Sequence, residues 1–356
     1  MSCLDELLRG QVAREAVERV EVITPEINLD ALGGAEDPRL HLTALPYERG
    51  SVAALARLAR VTVARARATR PDVLHVHSTI AGAVVRLCRP LLPRATRIVY
   101  CPHGWAFSRE GSALKNRAIA LVERALSPLC DRILCVSDYE RRDAAAAGIA
   151  EARMDVVENG ISPRSGAALA PRSGGEGGRK RIVFAGRFDR QKGFDTYVEA
   201  LRRLGDEARG LAIGRAIVSD AALGNLPPNV EILGWQPRAR VMELYAQADL
   251  LLMPSRWEGF PLVALEAMQA GLPVFASRVG GLQDIVVEGH TGRLFAPDDV
   301  DAVVALVRGT SVDELRAYGR NGRERYRRLY TAERMNQRVW DLYCALSADA
   351  PGSQRI

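Results

Sequence analysis

Lysine is almost missing from this sequence: Lys115, Lys180 and Lys192 are the only three in a chain of 356 residues that holds 46 arginines. A lysine kept under such a bias is a candidate for a task that suits a compact ammonium better than a planar guanidinium. Long apolar runs are missing too. No uncharged stretch approaches the roughly 20 residues of a membrane span, and "MSCLDELLRGQVAREAVERV" carries charges where a signal peptide has its apolar region. A cytoplasmic protein is expected. The six cysteines (Cys3, Cys88, Cys101, Cys130, Cys135, Cys344) show neither metal-ligand spacing nor a dense disulfide pattern, so they are read as buried thiols in a reducing compartment. No helix-turn-helix spacing, zinc pattern or aromatic RNA motif accompanies the net charge of +6, which argues against nucleic acid as a partner. That charge is uneven. From Arg49 to Arg132, fifteen Lys and Arg stand against four Asp and Glu, a local +11 that leaves −5 for the remainder. The first half therefore carries a basic surface, either merely solvated or facing an anionic membrane or a lipid-phosphate acceptor.

What is present is a rhythm. With 47% hydrophobic and 26% charged residues, the chain can bury the cores of two ordinary domains. "RIVFAG", "GLAIG", "VEILG", "ADLLLMPS" and "PVFAS" read as buried strands, with helical patterns such as "FDTYVEALRRL" and "ARVMELYAQA" between them. "VEVITP", "DVLHVHS", "RIVYCPHG" and "RILCVS" repeat the pattern in the first half. Alternating strands and helices predict doubly wound parallel sheets. "SPRSGAALAPRSGGEGGRKR", rich in Gly, Ser and Pro, marks a linker. The expected domains are 1–162, a linker at 163–180, and 181–330, with 331–356 as a helix returning to the first domain. A ligand is expected in a cleft between them.

Two local features carry chemistry. In "PSRWEGFPLVALEAMQAGLPVFAS", Glu258 and Glu266 are separated by seven residues in an otherwise apolar segment. "FPLVALEAMQAG" predicts a helix with Pro261 at its first position and Gly271 at its stop. Glu258 then lies in the entering loop, and Glu266, a turn inside, needs donors if it is buried. Sugar hydroxyls would supply them, and the helix N-terminus would attract an anion such as phosphate. Two solvated glutamates on a surface helix fit the same spacing. The second feature is "RIVFAGRFDRQKGF", a strand whose carboxyl-terminal loop carries Arg187 and Lys192, where open α/β sheets bind ligands. A diphosphate would need such charges. A surface ion pair is the bland alternative.

Taken in order, "GRFDRQKGFDTYVEAL", "VEILGW", "PSRWEGFPLVALEAMQAGLPVFASRVGGLQDIV" and "GHTGRLF" resemble the retaining GT-B glycosyltransferases of family 4, the glycosyl transferases group 1, over residues 181 to 297. "PDVLHVHS", "YCPHG", "CVSDYERR" and "VVENGIS" follow that layout over 71 to 162. The resemblance implies an α/β GT-B fold of two Rossmann-like domains. It implies hexosyl transfer, with retention, from a nucleotide-diphosphate sugar to a glycan or lipid-linked acceptor, in bacterial polysaccharide or glycoconjugate synthesis, without metal or cofactor. Residue by residue, it implies that Arg187 and Lys192 hold the diphosphate and that Glu258 reads hydroxyls of the transferred sugar. The backbone of Gly259, Phe260, Leu262 and Val263 would line sugar and phosphate, and Glu266 would accept from the ribose. His103, in "CPHGW", would contact the sugar and assist transfer. A nucleotide-sugar epimerase on a similar fold, or a catalytically silent partner of another glycosyltransferase, are the alternatives.

Five further expectations follow. His75 and His77, alternating along "DVLHVHS", are expected on opposite strand faces, each in a structural role. "DDVD" at Asp298 to Asp301 contains the metal signature of a different transferase fold, but its place at the start of "AVVALV" predicts N-capping. Trp235 lies either near the base or in the core. "SVAALARLARVTVARARATR" has an apolar side (Val52, Leu55, Leu58, Ala59, Ala66) and a basic side (Arg57, Arg60, Arg65, Arg67), which packs as ordinary core or rests peripherally on the inner face of the cell membrane. Finally, family members open with a strand and a Gly-rich loop before the helix that "CLDELLRGQVAREA" resembles. The first strand of the N-terminal domain is therefore expected to be missing, and "LGGAEDP", which follows the second strand, does not replace it.

Overall fold

The structure, a computed structural model, describes residues 3–32, 37–46, 51–163, 178–215 and 226–348. Most of the linker, and Gly33 and Gly34 of "LGGAEDP", lie outside the described residues. The chain divides into two compact units, Met1–Ser162 with Thr331–Ile356, and Pro163–Tyr330.

The first unit opens with helix α1 (Cys3–Val12) and strand β1 (Val20–Pro25), which pairs in parallel with β2 (Leu40–Leu45). Helix α2 (Val52–Thr69), capped by the Ser51 hydroxyl, leads to a second parallel sheet of β3 (Val73–His77), β4 (Arg97–Cys101), β5 (Arg132–Cys135) and β6 (Met154–Val156), in that order. Helices α3 (Thr79–Leu87), α4 (Ala113–Leu126) and α5 (Asp138–Ala146) connect them. Thus β1 and β2 form a sheet of their own, and β3 is an edge of the other. One face of the four-stranded sheet packs the core of Val76, Ile98, Tyr100, Ile133 and Cys135. Behind it lies a buried ion pair, Arg86 to Glu123 at 2.7 Å, with Tyr100 Oη donating to Glu123 and Arg86 stacked 4.0 Å over the Tyr100 ring.

In the second unit the strands are β7 (Lys180–Ala185), β8 (Ala208–Ile213), β9 (Val230–Gly234), β10 (Leu250–Met253), β11 (Val274–Ser277) and β12 (Gly292–Phe295). All pairs are parallel, in the order β12-β11-β10-β7-β8-β9. Strands such as "LLLM" and "VFAS" are buried at every position, which is why they read as continuous apolar runs. Helices α6 (Phe194–Leu204), α7 (Arg238–Gln247), α8 (Leu262–Gln269), α9 (Leu282–Ile285), α10 (Val300–Gly309) and α11 (Val312–Leu329) cover the sheet. From β7 the chain winds to one side through β8 and β9, then returns to wind the other way from β10. The reversal between β7 and β10 is the topological switch point, which leaves a crevice at the strands' carboxyl ends.

The last helix, α12 (Ala332–Ala348), returns to the first unit and packs on α1. Asn336 Nδ2 donates to the Glu6 carbonyl at 3.0 Å, and Thr331 bridges to Ile161. A Cβ on Gly10 would lie 2.1 Å from the Asn336 side-chain amide, so a larger residue there would push that amide aside.

Sequence reading missed β2, β6 and β12, each short or only partly buried. Pro261 caps α8 from one position earlier than expected, and Gly271 ends it at φ 70°. The Asp299 carboxylate does cap α10, accepting from Ala302 N at 2.9 Å, while Asp298 and Asp301 pair with Arg256 and Arg203.

Candidate active site

The loops that follow β7 and β10 lie side by side at the switch point, and hydrogen bonds hold them there. Arg256 N donates to Gln191 O at 2.8 Å, and Gln191 Nε2 to Trp257 O at 3.2 Å. Gly193 enters α6 at φ 65°, and a Cβ on it would lie 1.9 Å from the Pro254 carbonyl oxygen. On this frame Lys192 Nζ meets Glu258 Oε1 at 2.6 Å, with the side chains 21% and 5% exposed. The Ser255 hydroxyl donates to the same carboxylate oxygen at 2.8 Å. Arg187 stands in the loop, 43% exposed, with Nε 3.0 Å from Asp189 and a hydrogen bond to Gln191. Asp189 in turn accepts from Lys192 N at 2.9 Å, which orients the lysine.

The paired glycines of "RVGGLQ" back this arrangement. Gly280 has φ 50°, and its Cβ would lie 1.9 Å from the Glu258 carbonyl oxygen, while Gly281 N donates to Gly259 O at 2.8 Å. Their turn therefore presses on the backbone of Glu258 and Gly259, next to Phe260. Leu262 and Val263 form the first turn of α8, which has no side-chain cap. Two cations, a nearly buried carboxylate and an uncapped helix start thus converge at one end of the sheet, an arrangement suited to binding an anion with hydroxyl-bearing groups on either side.

Glu266 is 15% exposed, as its apolar neighbours predict, and its donor is Arg238 NH2 of α7 at 2.8 Å. The sequence reading missed Arg238, because the two lie on different helices and no local spacing connects them. It also missed Ser255, Gln191 and Asp189 as orienting groups. Trp235 is 72% exposed, which excludes the core reading.

In the first unit His103 follows β4 at φ 53°, a conformation that costs a non-glycine residue roughly 1–2 kcal/mol. The turn is held by Glu140 of α5, whose carboxylate accepts from Gly104 N at 2.5 Å and Val136 N at 2.6 Å. Burial raises the Glu140 carboxyl to about 7. His103 Nε2 lies 2.9 Å from His77 Nδ1. Here one expectation fails: His75 and His77 share a face, their ring centroids 4.1 Å apart. Strand side chains repeat every two residues, so positions 75 and 77 point the same way, and it is Val76 between them that faces the core on the other side. Burial lowers all three imidazoles, His75 to about 3 and His103 to about 4, with neighbouring rings adding to the effect on His75 and His77.

Two Rossmann-like units of parallel sheet, the second with its ligand-binding features at a switch point, define the GT-B class. The chain belongs to the glycosyl transferases group 1. That family's model matches residues 169–325, and the model of a glycosyl transferase 4-like domain matches residues 2–160. An uncharacterised 41.2 kDa protein in the cps region of Klebsiella pneumoniae is 30% identical over 265 residues, 72% of this chain and 74% of that one. Glycogen synthase of Mycobacterium tuberculosis is 28% identical over 277 residues, 74% of this chain and 65% of the enzyme, so this chain spans less than two thirds of that relative. In fold, sucrose-phosphate synthase from Thermosynechococcus elongatus superposes with a TM-score of 0.80 at 23% identity, covering 95% of this chain and 92% of that one.

Proposed function

We propose that the protein transfers a hexosyl group, with retention and without a metal, from a nucleotide-diphosphate sugar to a glycan or lipid-linked acceptor. The observation that carries this reading is the Lys192–Glu258 pair at the β7/β10 switch point. In the proposed donor complex, Lys192 and Arg187 turn to the diphosphate and supply the charge stabilisation that a metal gives other transferases. Glu258 then accepts from hydroxyls of the sugar, and Glu266, oriented by Arg238, from the ribose. His103 is the candidate group for hydroxyls of the transferred sugar. The acceptor hydroxyl attacks the anomeric carbon on the face from which the diphosphate departs. The new C–O bond forms as the old one breaks, and a diphosphate oxygen takes the proton. The decisive measurement is turnover of a panel of nucleotide sugars with EDTA or manganese. Turnover that vanishes with EDTA and returns with manganese would sink the metal-independent reading.

We further propose a peripheral position on an anionic membrane, with α4 as the contact. Helix α2 fits that role poorly: Thr62 and Ala66 are buried, and Arg65 is engaged with Glu21 at 2.7 Å. Helix α4 instead exposes Leu114 (79%), Leu121 and Val122, beside the exposed Lys115, Arg117 and Arg124. Its one acid, Glu123, is buried against Arg86. Apolar groups ringed by cations suit an anionic interface. Among the described residues no helix is long and apolar enough to cross a membrane. Co-sedimentation with anionic vesicles at low salt is expected, and Leu121→Glu together with Lys115→Glu should abolish it. Equal binding by the double variant removes α4 from the contact.

A further inference from the structure

The same-face placement of His75 and His77 has a neighbour. Cys101 on β4 stands in register with His77 on β3, so the parallel pairing brings both imidazoles and the thiol to one side of the sheet. One potential ligand atom from each of His75, His77 and Cys101 lies within 4.8 Å of the others. They line a cavity of about 10 Å³, closed by α1 through Cys3 and by α12 through Met335. That space holds one particle about the size of a water. The cluster is remote in sequence from Lys192 and Glu258 and belongs to the other unit.

His75 is prepared on one side and open on the other. Its Nδ1 is 2.6 Å from Tyr343 Oη, which also accepts from Gln11 Nε2 at 3.3 Å. Its Nε2 is buried with no hydrogen-bond partner. If Nδ1–H donates to the phenol oxygen, Nε2 presents a bare lone pair to the cavity, the arrangement that outer-sphere oxygens impose on metal-bound histidines. His77 likewise spends Nδ1 on His103 and keeps Nε2. Burial keeps these rings neutral, the form that ligates. The Cys101 thiol is held protonated by burial and by Glu140, and a bound cation would reverse that balance.

We propose that His75 Nε2, His77 Nε2 and Cys101 Sγ form a three-ligand site for a divalent transition metal of the zinc class, its fourth position facing the cavity. Two imidazoles and a thiolate are a known zinc donor set, and hard cations such as magnesium prefer oxygen. On a tetrahedral zinc with bonds of 2.0–2.3 Å, ligand atoms lie roughly 3.3–3.8 Å apart, so a spread of up to 4.8 Å closes by about 1.5 Å at most. Binding forms the metal–sulfur bond and releases the Cys101 proton to solvent, so affinity rises with pH. The metal would tie β3 to β4 and so steady His77 and, through it, His103.

The test uses the reduced full chain, stripped with chelator and desalted, then titrated with Zn²⁺ or Co²⁺. One equivalent of Zn²⁺ should bind at micromolar or lower concentration and raise the melting temperature, and Co²⁺ should give a thiolate charge-transfer absorption. Cys101→Ser should lose that absorption, whereas Cys344→Ser should keep it. Tyr343→Phe, which leaves the ligands in place, should weaken Zn²⁺ roughly ten-fold. The proposal is overturned if Zn²⁺ fails to bind stoichiometrically, or if the cobalt spectrum survives in Cys101→Ser.

Discussion

At the residue scale, the informative positions are those where a charge is kept against composition or burial. Lys192 is one of three lysines, and it is half-buried and paired with the nearly buried Glu258. Lys192→Ala and Arg187→Ala should each lower kcat by roughly 10²–10³, the loss of one preorganised charge at a leaving group. Arg could be expected to replace Lys192 on charge alone. The oriented ammonium predicts that Lys192→Arg recovers little, and wild-type turnover in that variant would refute the assignment. A second prediction concerns pH. Three imidazoles with lowered values bind protons only when the chain unfolds, so each adds stability that is present above about 6.5 and is lost as pH falls through its own lowered value, about 3 for His75 and about 4 for His103. Glu140 acts oppositely, because its raised value makes unfolding release a proton between about 4.5 and 7. Three protons against one leave a net uptake, and stability should fall on acidification from pH 6.5 to 5 by up to about 1.4 kcal/mol per pH unit for each net proton. Denaturant midpoints between pH 5 and 8 measure this. His75→Gln should flatten the curve, and Glu140→Gln should steepen it.

At the element scale, glycines and one buried pair decide how helices and loops meet. Gly193→Ala would add a Cβ at φ 65° and 1.9 Å from Pro254 O. The β7 loop must then move off the β10 loop, separating Lys192 from Glu258, so activity should fall by more than ten-fold while the melting temperature drops only a few degrees. A larger stability effect is expected at Glu123. Removing it with Glu123→Ala leaves Arg86, fully buried at 0% exposure, without its counter-charge, at a cost of about 3–5 kcal/mol. Replacing both charges by Met and Leu should cost much less, and equal losses would show that the pair is not the source. Most elements of the second unit were legible because strands such as β10 and β11 are unbroken apolar runs separated by amphipathic helices, whereas β12, interrupted by Arg293, was not. The same reasoning missed β2, whose exposed and half-buried residues carry no such signal. It also misjudged His75 and His77 by misapplying the strand period. The loop positions of Glu258 and Lys192 could be read from neighbouring residues. Their pairing across 66 residues of chain, and that of Glu266 with Arg238, arises from the winding of the sheet, which local spacing does not encode.

At the scale of the whole molecule, the two units share the chain unequally. The second is continuous, from Pro163 to Tyr330, and contains Arg187, Lys192, Arg238, Glu258 and Glu266 together with its own core around Phe184, Tyr197, Leu201 and Phe275. The first is discontinuous and completed by α12. Glu6 of α1 accepts from Ser162 N at 3.0 Å, Asn336 of α12 donates to the Glu6 carbonyl, and a Cβ on Gly160 would lie 2.2 Å from Thr331 O. Cutting the chain after residue 330 should therefore uncover the α1 face and the sheet beneath it, whereas cutting out residues 163–330 removes a self-contained body. The prediction is asymmetric. The fragment 163–330 should fold and bind a nucleoside diphosphate within about ten-fold of the whole chain, because every side chain assigned to nucleotide and diphosphate lies inside it. The fragment 1–330 should lose cooperative melting of its first unit while still binding nucleotide. Calorimetric titration of both fragments with a panel of nucleoside diphosphates separates the outcomes. A folded 163–330 that binds none of the diphosphates bound by the intact chain would show that the first unit supplies essential contacts to the nucleotide, and the assignment of diphosphate recognition to Arg187 and Lys192 would then have to be abandoned.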